Sequence, residues 1–436
     1  MTARSVATPF HDEPGIDQEL GASLFAQIAA AGQRLQTLRA LRHRNFRWFW
    51  FSASAQSTGL GMQFLILGWL VLERTDSATQ LGLMIFLYGL PNMSLVVLGG
   101  IFADRLNRLR LLKYTQSSAT SLVIVLAALT LAGLVQLWHV YATAFLLGTI
   151  QALNMPTRMA MVADLVDRED IMNAVSLNSA VMNLGRIIGP LAAGGVIELA
   201  GIGPALALNA ACYFLGTGLL FSMNGAAAAV EQVRRTSIIG DLFTGVRYVL
   251  AAPVALTLIV MGYTFGFFGL PHLQVMPAYA KEALGVGAGG AGLLITASGV
   301  GSLLGSIVLA SLGNFRHKNW LLLGTIFLFC FTLILFALSP WFWVSWALLL
   351  LVGMGSMSYV SMVTTVLQMT VPSHLQGRVL SVWGLGGAMM FVGALPMGAA
   401  ADLLGWTAAL AAGPVITLVF VLWLGIWRPT IRRLEI

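Results

Sequence analysis

Charge is what this chain has least of: Asp, Glu, Lys and Arg make up 9% of its 436 residues. Ordinary soluble domains carry about 25%. Hydrophobic residues reach 58%, so a water-soluble fold would leave too much apolar surface wet. That excludes a soluble enzyme of the usual type. Cysteine is nearly absent too. Cys212 and Cys330 both sit in apolar runs, which excludes a disulfide framework and leaves small core residues as their plain reading. The chain has no G-x-x-x-x-G-K-[ST] loop, so ATP is not expected as its direct fuel. It shows no His/Cys/Asp cluster with metal spacing and no Ser/His/Asp set in a loop, so neither a metal nor a cofactor is expected. No apolar stretch precedes Phe46, and Asp12, Glu13, Asp17 and Glu19 crowd the start, unlike a signal peptide.

What remains is a chain of long apolar segments. A helix crosses about 30 Å of hydrocarbon with roughly 20 residues, so twelve spans need roughly 240. Apolar stretches fall near 47–72, 79–102, 111–134, 138–161, 172–198 and 203–222, and again near 253–277, 288–312, 319–339, 342–369, 377–402 and 406–427. Between the sets lies a polar, Ala-rich break with Glu231, Arg234 and Arg235, then a short surface helix over 237–250. The expected fold is all-α and polytopic, with twelve membrane helices in two six-helix repeats. Residues 1–45 form a cytoplasmic tail carrying a basic amphipathic helix, 46–222 the first bundle, 223–252 a cytoplasmic linker, 253–427 the second bundle, and 428–436 a cytoplasmic tail. The first 20 or so residues are expected to be disordered.

The basic residues orient this array. With the N-terminus inside, all of the 24 Lys and Arg except Arg74, Lys281 and Arg186 fall on the inner side. Such asymmetry places both termini in the cytoplasm. It also explains the net charge of +7 as a topology signal and an attraction to anionic lipid rather than to nucleic acid. A shift of 205 residues lays Gly100 on Gly305, Val166 on Val371 and Ser176 on Ser381, with Pro190 and Pro396 at nearly the same offset. Duplicated halves of this kind suit rocking-bundle transport.

The first inner loop reads Gly99-Gly-Ile-Phe-Ala-Asp104-Arg105-Leu-Asn-Arg108-Leu-Arg110. It resembles the loop G-x-x-x-D-R-x-G-R-[KR] of the major facilitator superfamily, with Asn107 in place of a Gly and Leu109 as a second departure. The resemblance covers roughly residues 40–430. It implies that Gly100, Asp104, Arg105, Arg108 and Arg110 form a gate that holds the inner side shut against a helix starting near Arg378. Anchoring of these charges at the lipid surface is the plainer alternative. The run from Pro156-Thr-Arg158 through Asp164, Asn173, Asn178, Asn183 and Arg186 is similar to the bacterial branch that contains siderophore exporters and related efflux proteins.

The fifth span carries Gly185, Gly189, Pro190, Gly194 and Gly195, similar to the exporter motif G-x-x-x-G-P-x-x-G-G with one extra residue. Gly185 and Gly189, one turn apart, give a smooth face for a neighbouring helix, and Pro190 removes a backbone hydrogen bond and favours a kink. Pro396 repeats this in the second half. Arg186 lies about midway in an apolar span, where a charge costs from about 2.5 to over 10 kcal/mol unless a partner or polar cavity meets it. It is the sharpest functional candidate, contacting an anionic substrate group or a carbonyl-rich wall; a structural tie is the alternative. Polar residues inside spans nominate a cavity: Gln56, Gln63, Asn92, Gln151, Asn154, Asn178, Asn183, Tyr263 and Gln368.

The fourth-span position where many proton-driven members carry an Arg is Ala144 here, and no Asp or Glu lies deep in a span. Asp104, Asp164 and His272 remain as candidate titrating groups, with His272 better read as a satisfied outer-end residue. The expected protein is a monomeric secondary exporter in a bacterial cytoplasmic membrane. It moves a small organic or amphipathic molecule, such as a siderophore, drug or metabolite, by alternating access with proton antiport. An uptake permease or uniporter is the alternative. A membrane enzyme or a receptor fits less well.

Overall fold

The computed structural model describes residues 38–223, 238–312 and 318–427; within these, side chains at 96–98, 101, 103–105, 238–239, 241–242, 318–319 and 425–427 fall outside the description. Residues 22–37 of the expected basic tail helix, the linker arginines Arg234 and Arg235, and the C-terminal Arg428, Arg432 and Arg433 lie outside the described residues; over 39–42 the chain forms a 3-10 turn instead.

The described fold is all-helical. A 3-10 turn at Arg39–Arg42 leads into α1 (Arg44–Thr75), α2 (Ala78–Arg105), α3 (Arg108–Leu131), α4 (Leu137–Asp164), α5 (Ile171–Ala200) and α6 (Ile202–Phe221). After the break, α7 (Ile238–Ala251) is the expected short helix, and α8 (Pro253–Thr264), α9 (Met276–Glu282), α10 (Ala288–Ser311), α11 (Lys318–Leu338), α12 (Phe342–Thr370), α13 (Ser373–Leu404) and α14 (Trp406–Trp427) follow. Ten helical segments are long and apolar enough to cross a membrane. Helices α2 and α4, with 28 residues each, have comparable length, about 42 Å at 1.5 Å per residue. Large apolar side chains such as Val125, Phe145, Phe214, Ile307, Phe327 and Val419 face outward. In water that surface would aggregate; lipid is the solvent that accepts it.

Local chemistry sets the helix ends. Ser77 Oγ accepts from Gln80 N at 3.3 Å and starts α2. Asn107 Oδ1 accepts from Arg110 N at 3.0 Å and starts α3, so the departure from glycine at this loop position supplies an N-cap. Gly201 and Gly405 stop α5 and α13 with φ of 88° and 84°, backbone that favours glycine, and each turn feeds straight into the next helix.

The seventh apolar segment departs from expectation. Helix α8 ends at Thr264, and the chain continues as a π turn over Phe265–Gly269 and a 3-10 turn over Leu270–Leu273. Pro271 cannot donate an amide to an α-helical ladder. The looser turn seats Phe265 between Phe329 and Tyr359, each ring centroid 4.7 Å away. His272 is buried in this stretch, its Nδ1 2.6 Å from Gly269 O.

Packing before the linker pairs α1 with α5 at backbone range. A Cβ on Gly185 would lie 2.6 Å from the Ser57 backbone, and one on Gly189 would lie 2.7 Å from Gly61. Gly195, by contrast, faces open space, with nothing within 4 Å of an added Cβ. Helix α5 runs through Pro190 to Ala200, and α13 runs through Pro396 to Leu404, without a break in assignment. Replacing Gly189 by Leu is expected to lower stability by about 1–3 kcal/mol, the usual cost of overpacking. The Gly195→Leu variant is expected to melt like the parent. Thermal unfolding of both in detergent checks the contrast.

Candidate functional site

Contacts between the two halves gather at the end remote from the linker. Asp402, at the close of α13, accepts from Ser77 Oγ at 2.7 Å and from the Ala78 and Thr79 amides at 2.9 Å each. Its carboxylate therefore sits on the N-terminus of α2, where the helix dipole is positive. Glu198, near the close of α5, accepts from Gly289 N at 3.2 Å, at the N-terminus of α10. Lys281 donates to Leu72 O at 3.2 Å, at the carbonyl end of α1, and to Asp76 Oδ1 at 2.6 Å. All three side chains join opposite halves, and each puts at a helix end the sign of charge that end prefers. The Lys281–Asp76 pair is largely exposed and worth little by itself. Beside it, partial burial raises the Glu282 carboxyl above its ordinary value, while the hydrogen bond from Trp406 Nε1 at 2.9 Å pulls it back down.

Glycines let the helices meet beneath these bonds. A Cβ on Gly82 would lie 2.6 Å from Ala394 O, and one on Gly194 would lie 2.5 Å from Ala288 O. Phe64, Tyr88 and Phe391 then form an aromatic cluster across the halves, with centroids 4.8 to 6.0 Å apart. Nearer the middle, Thr296 Oγ1 donates to Ile187 O at 3.1 Å.

Below the aromatic cluster lies a polar cavity in the first half. Gln56, Gln63, Gln151 and Asn154 line its upper part with Tyr88 and Tyr213. Gln56, Gln151, Asn154 and Asn178 line a small continuation of about 40 Å³ with Met155, Arg158, Met159 and Met182. Five nominated residues thus share one space. Tyr213 OH donates to Gln63 Oε1 at 2.7 Å, and Asn209 Nδ2 to Gly59 O at 2.6 Å. Gln56 Oε1, Gln63 Nε2, Gln116 Nε2, Asn154 Oδ1 and Arg158 Nη2 are buried without a hydrogen-bond partner among the described residues.

Other nominated residues fall elsewhere. Tyr263 OH donates to Val382 O at 2.7 Å within the second half. Gln368 is exposed two residues before the end of α12, where its carbonyl accepts from Gln376 Nε2 at 2.6 Å. It belongs to a helix end rather than to this cavity wall. Asn92 and Asn183 are half-buried outside the two linings. Arg186 lies midway along α5, exposed, next to Ile187 whose carbonyl makes the innermost of these bonds between halves. Gly100 is half-buried near the end of α2; the side chains of Asp104 and Arg105 lie outside the described residues. Arg108 Nη1 pairs with Asp164 Oδ2 at 2.7 Å, tying the loop to the end of α4, and Arg110 is exposed. Arg378 lies five residues into α13, its backbone against Gly245 of α7.

Arg158 is the cavity residue that sequence reasoning did not nominate. It was grouped with the inner-loop charges, yet it lies on α4 with its side chain on the cavity. The signal was present: Gln151, Asn154 and Arg158 stand at i, i+3 and i+7, one face of a helix.

The shape is shared with solved transporters. The nucleoside transporter NupG superposes with a TM-score of 0.71 at 11% identity, over 88% of this chain and 98% of that one. A bacterial homologue of the human lysosomal transporter Spinster gives 0.67 at 14% identity, over 90% and 98%. These superpositions show a shared multi-pass helical fold. The profile of the family described as transmembrane secretion effector matches residues 35–432, and the chain belongs to that family. Among curated relatives, the staphyloferrin A transporter of Staphylococcus aureus is 25% identical over 78% of this chain and 85% of its own length. The multidrug efflux pump Tap of Mycolicibacterium fortuitum is 25% identical over 88% and 96%. The enterobactin exporter EntS of Shigella flexneri is 24% identical over 78% and 81%.

Removing the Asp402 charge tests the closure at the far end. Asp402→Asn keeps an acceptor but loses the charge–dipole attraction, worth about 0.3–1 kcal/mol at an exposed helix end. Spin labels at the exposed positions 134 and 341, in opposite halves at that end, are expected to shift toward longer separations than in the parent.

Proposed function

We propose that this chain is a secondary active exporter built as two six-helix bundles, with twelve spans and both termini in the cytoplasm. The two bundles rock about the cavity to expose it to each side in turn. The helix-end bonds of Asp402, Glu198 and Lys281 close the outer side, and the cavity then communicates with the cytoplasmic side. In the opposite state the loop residues Gly100, Asp104, Arg105, Arg108 and Arg110 close the inner side against the start of α13 around Arg378. The observation that carries this reading is the polar cavity beneath a closure made of reversible contacts between halves. The names of the relatives favour outward movement of a siderophore, drug or similar amphipathic molecule. Few charges on the cavity wall disfavour a highly charged cargo.

Proton antiport needs a group whose surroundings change between the two states. Asp164 is paired with Arg108, and His272 is buried against a carbonyl, so neither is well placed. Asp402 and Glu198 hold amide bonds that exist only while the outer side is shut. Loss of these hydrogen bonds accompanies opening, with Lys281, Asp76 and Glu282 as the nearby charges. Arg186, at the level where the halves part, faces the crevice and attracts anionic cargo to it.

Everted membrane vesicles test the direction and the residue together. Energised vesicles are expected to accumulate cargo, found by screening metabolites and drugs retained in a deletion strain. The Arg186→Ala variant is expected to lose at least about tenfold in transport efficiency, equivalent to 1.4 kcal/mol. Uptake in the opposite direction, or an unchanged Arg186→Ala protein, contradicts the reading.

A further inference from the structure

We infer that the cavity of the first half is built for a cargo bearing one carboxylate on an apolar body, with Arg158 as its counter-ion; this rests on the transporter reading above. Arg158 lines the cavity floor six residues before the end of α4. Its Nη1 reaches Gln116 Oε1 only at 3.4 Å, and its Nη2 is buried with no hydrogen-bond partner among the described residues. Its guanidinium carbon stands 5.3 Å from the Phe49 ring centroid, a contact that leaves the donor edges of the group unused. No described carboxylate pairs with it. The nearby acid on the same helix, Asp164, is taken by Arg108.

A buried cation without an anion is costly, and a protein retains one where a ligand completes it. A guanidinium presents parallel N–H donors that match the two oxygens of a carboxylate, which an ammonium does not. Around it, Asn154 and Gln56 each leave one amide oxygen unmet, and Gln116 one nitrogen. Amide groups of this kind hold the flanking hydroxyl or amide groups of a ligand. Met155, Met159 and Met182 line the same cavity, soft side chains that adapt to an apolar body. One cation and neutral amides fit a single anionic group, not a polyanion.

The test uses the full chain in phosphatidylcholine nanodiscs, which contain no anionic lipid to compete. Tritiated 1-naphthylacetate and its neutral amide, 1-naphthylacetamide, serve as matched probes in equilibrium binding at pH 7. The parent is expected to bind the acid at least about tenfold more tightly than the amide. Arg158→Gln is expected to erase that preference, and Arg158→Lys to keep part of it by retaining the charge. Equal binding of acid and amide by the parent, no binding of the acid, or a preference that survives Arg158→Gln overturns the proposal. The parent's acid-to-amide ratio decides even where a variant misfolds. Vesicles that fail to move cargo while the ratio holds would contradict export and leave the carboxylate site standing. Transport without any acid preference would do the reverse.

Discussion

A charge or a bare peptide group cannot be left in hydrocarbon, and that constraint orders the whole molecule. Helices satisfy the backbone inside each segment, so the chain is a set of long rods. Apart from Arg158 and Arg186, charged side chains in these helices are pressed toward helix ends, where the ends themselves carry opposite partial charge. Asp402 on the start of α2, Glu198 on the start of α10 and Lys281 on the carbonyl end of α1 are three instances of one solution. Each joins one half of the chain to the other. Because such bonds trade readily for water, they close a surface without welding it.

Small residues make this closure possible. Gly82, Gly194 and Gly398 bring backbones across the halves to a distance that any Cβ would prevent. Gly185 and Gly189 do the same inside the first half, against α1. The glycine-rich fifth span therefore serves two contacts at once. One face of its middle is held against α1, and from Ile187 onward it meets α10 of the other half. Movement of one half against the other can then leave the α1–α5 seam intact while the α5–α10 seam opens.

Much of this architecture was legible in the residues. Apolar runs located the long helices to within a few residues, because hydrocarbon thickness sets a length that composition reveals. The gaps have physical causes. Helices α1, α2 and α13 extend beyond their apolar cores since hydrogen bonding continues into the polar interface. The π and 3-10 turns after Thr264 were invisible because Pro271 and Phe265 do not by themselves state which helix they pack on. Gln56, Gln63, Gln151, Asn154 and Asn178 share a cavity, as polar residues in apolar helices must find one another or water. Gln368 does not, because a position near a helix end offers it the interface instead. Arg158 was counted among the inner-side basic residues and not as a cavity residue, whereas its spacing from Gln151 and Asn154 already gave its face.

The central claim is that the two ends open in alternation. Spin labels at Met172 and Met369, both exposed and at the linker end in opposite halves, read the inner opening. Across a panel of nanodisc conditions at differing pH, the account predicts two distance populations whose weights run opposite to those at the far end. One unchanging distance at Met172 and Met369 while the far end varies would contradict it.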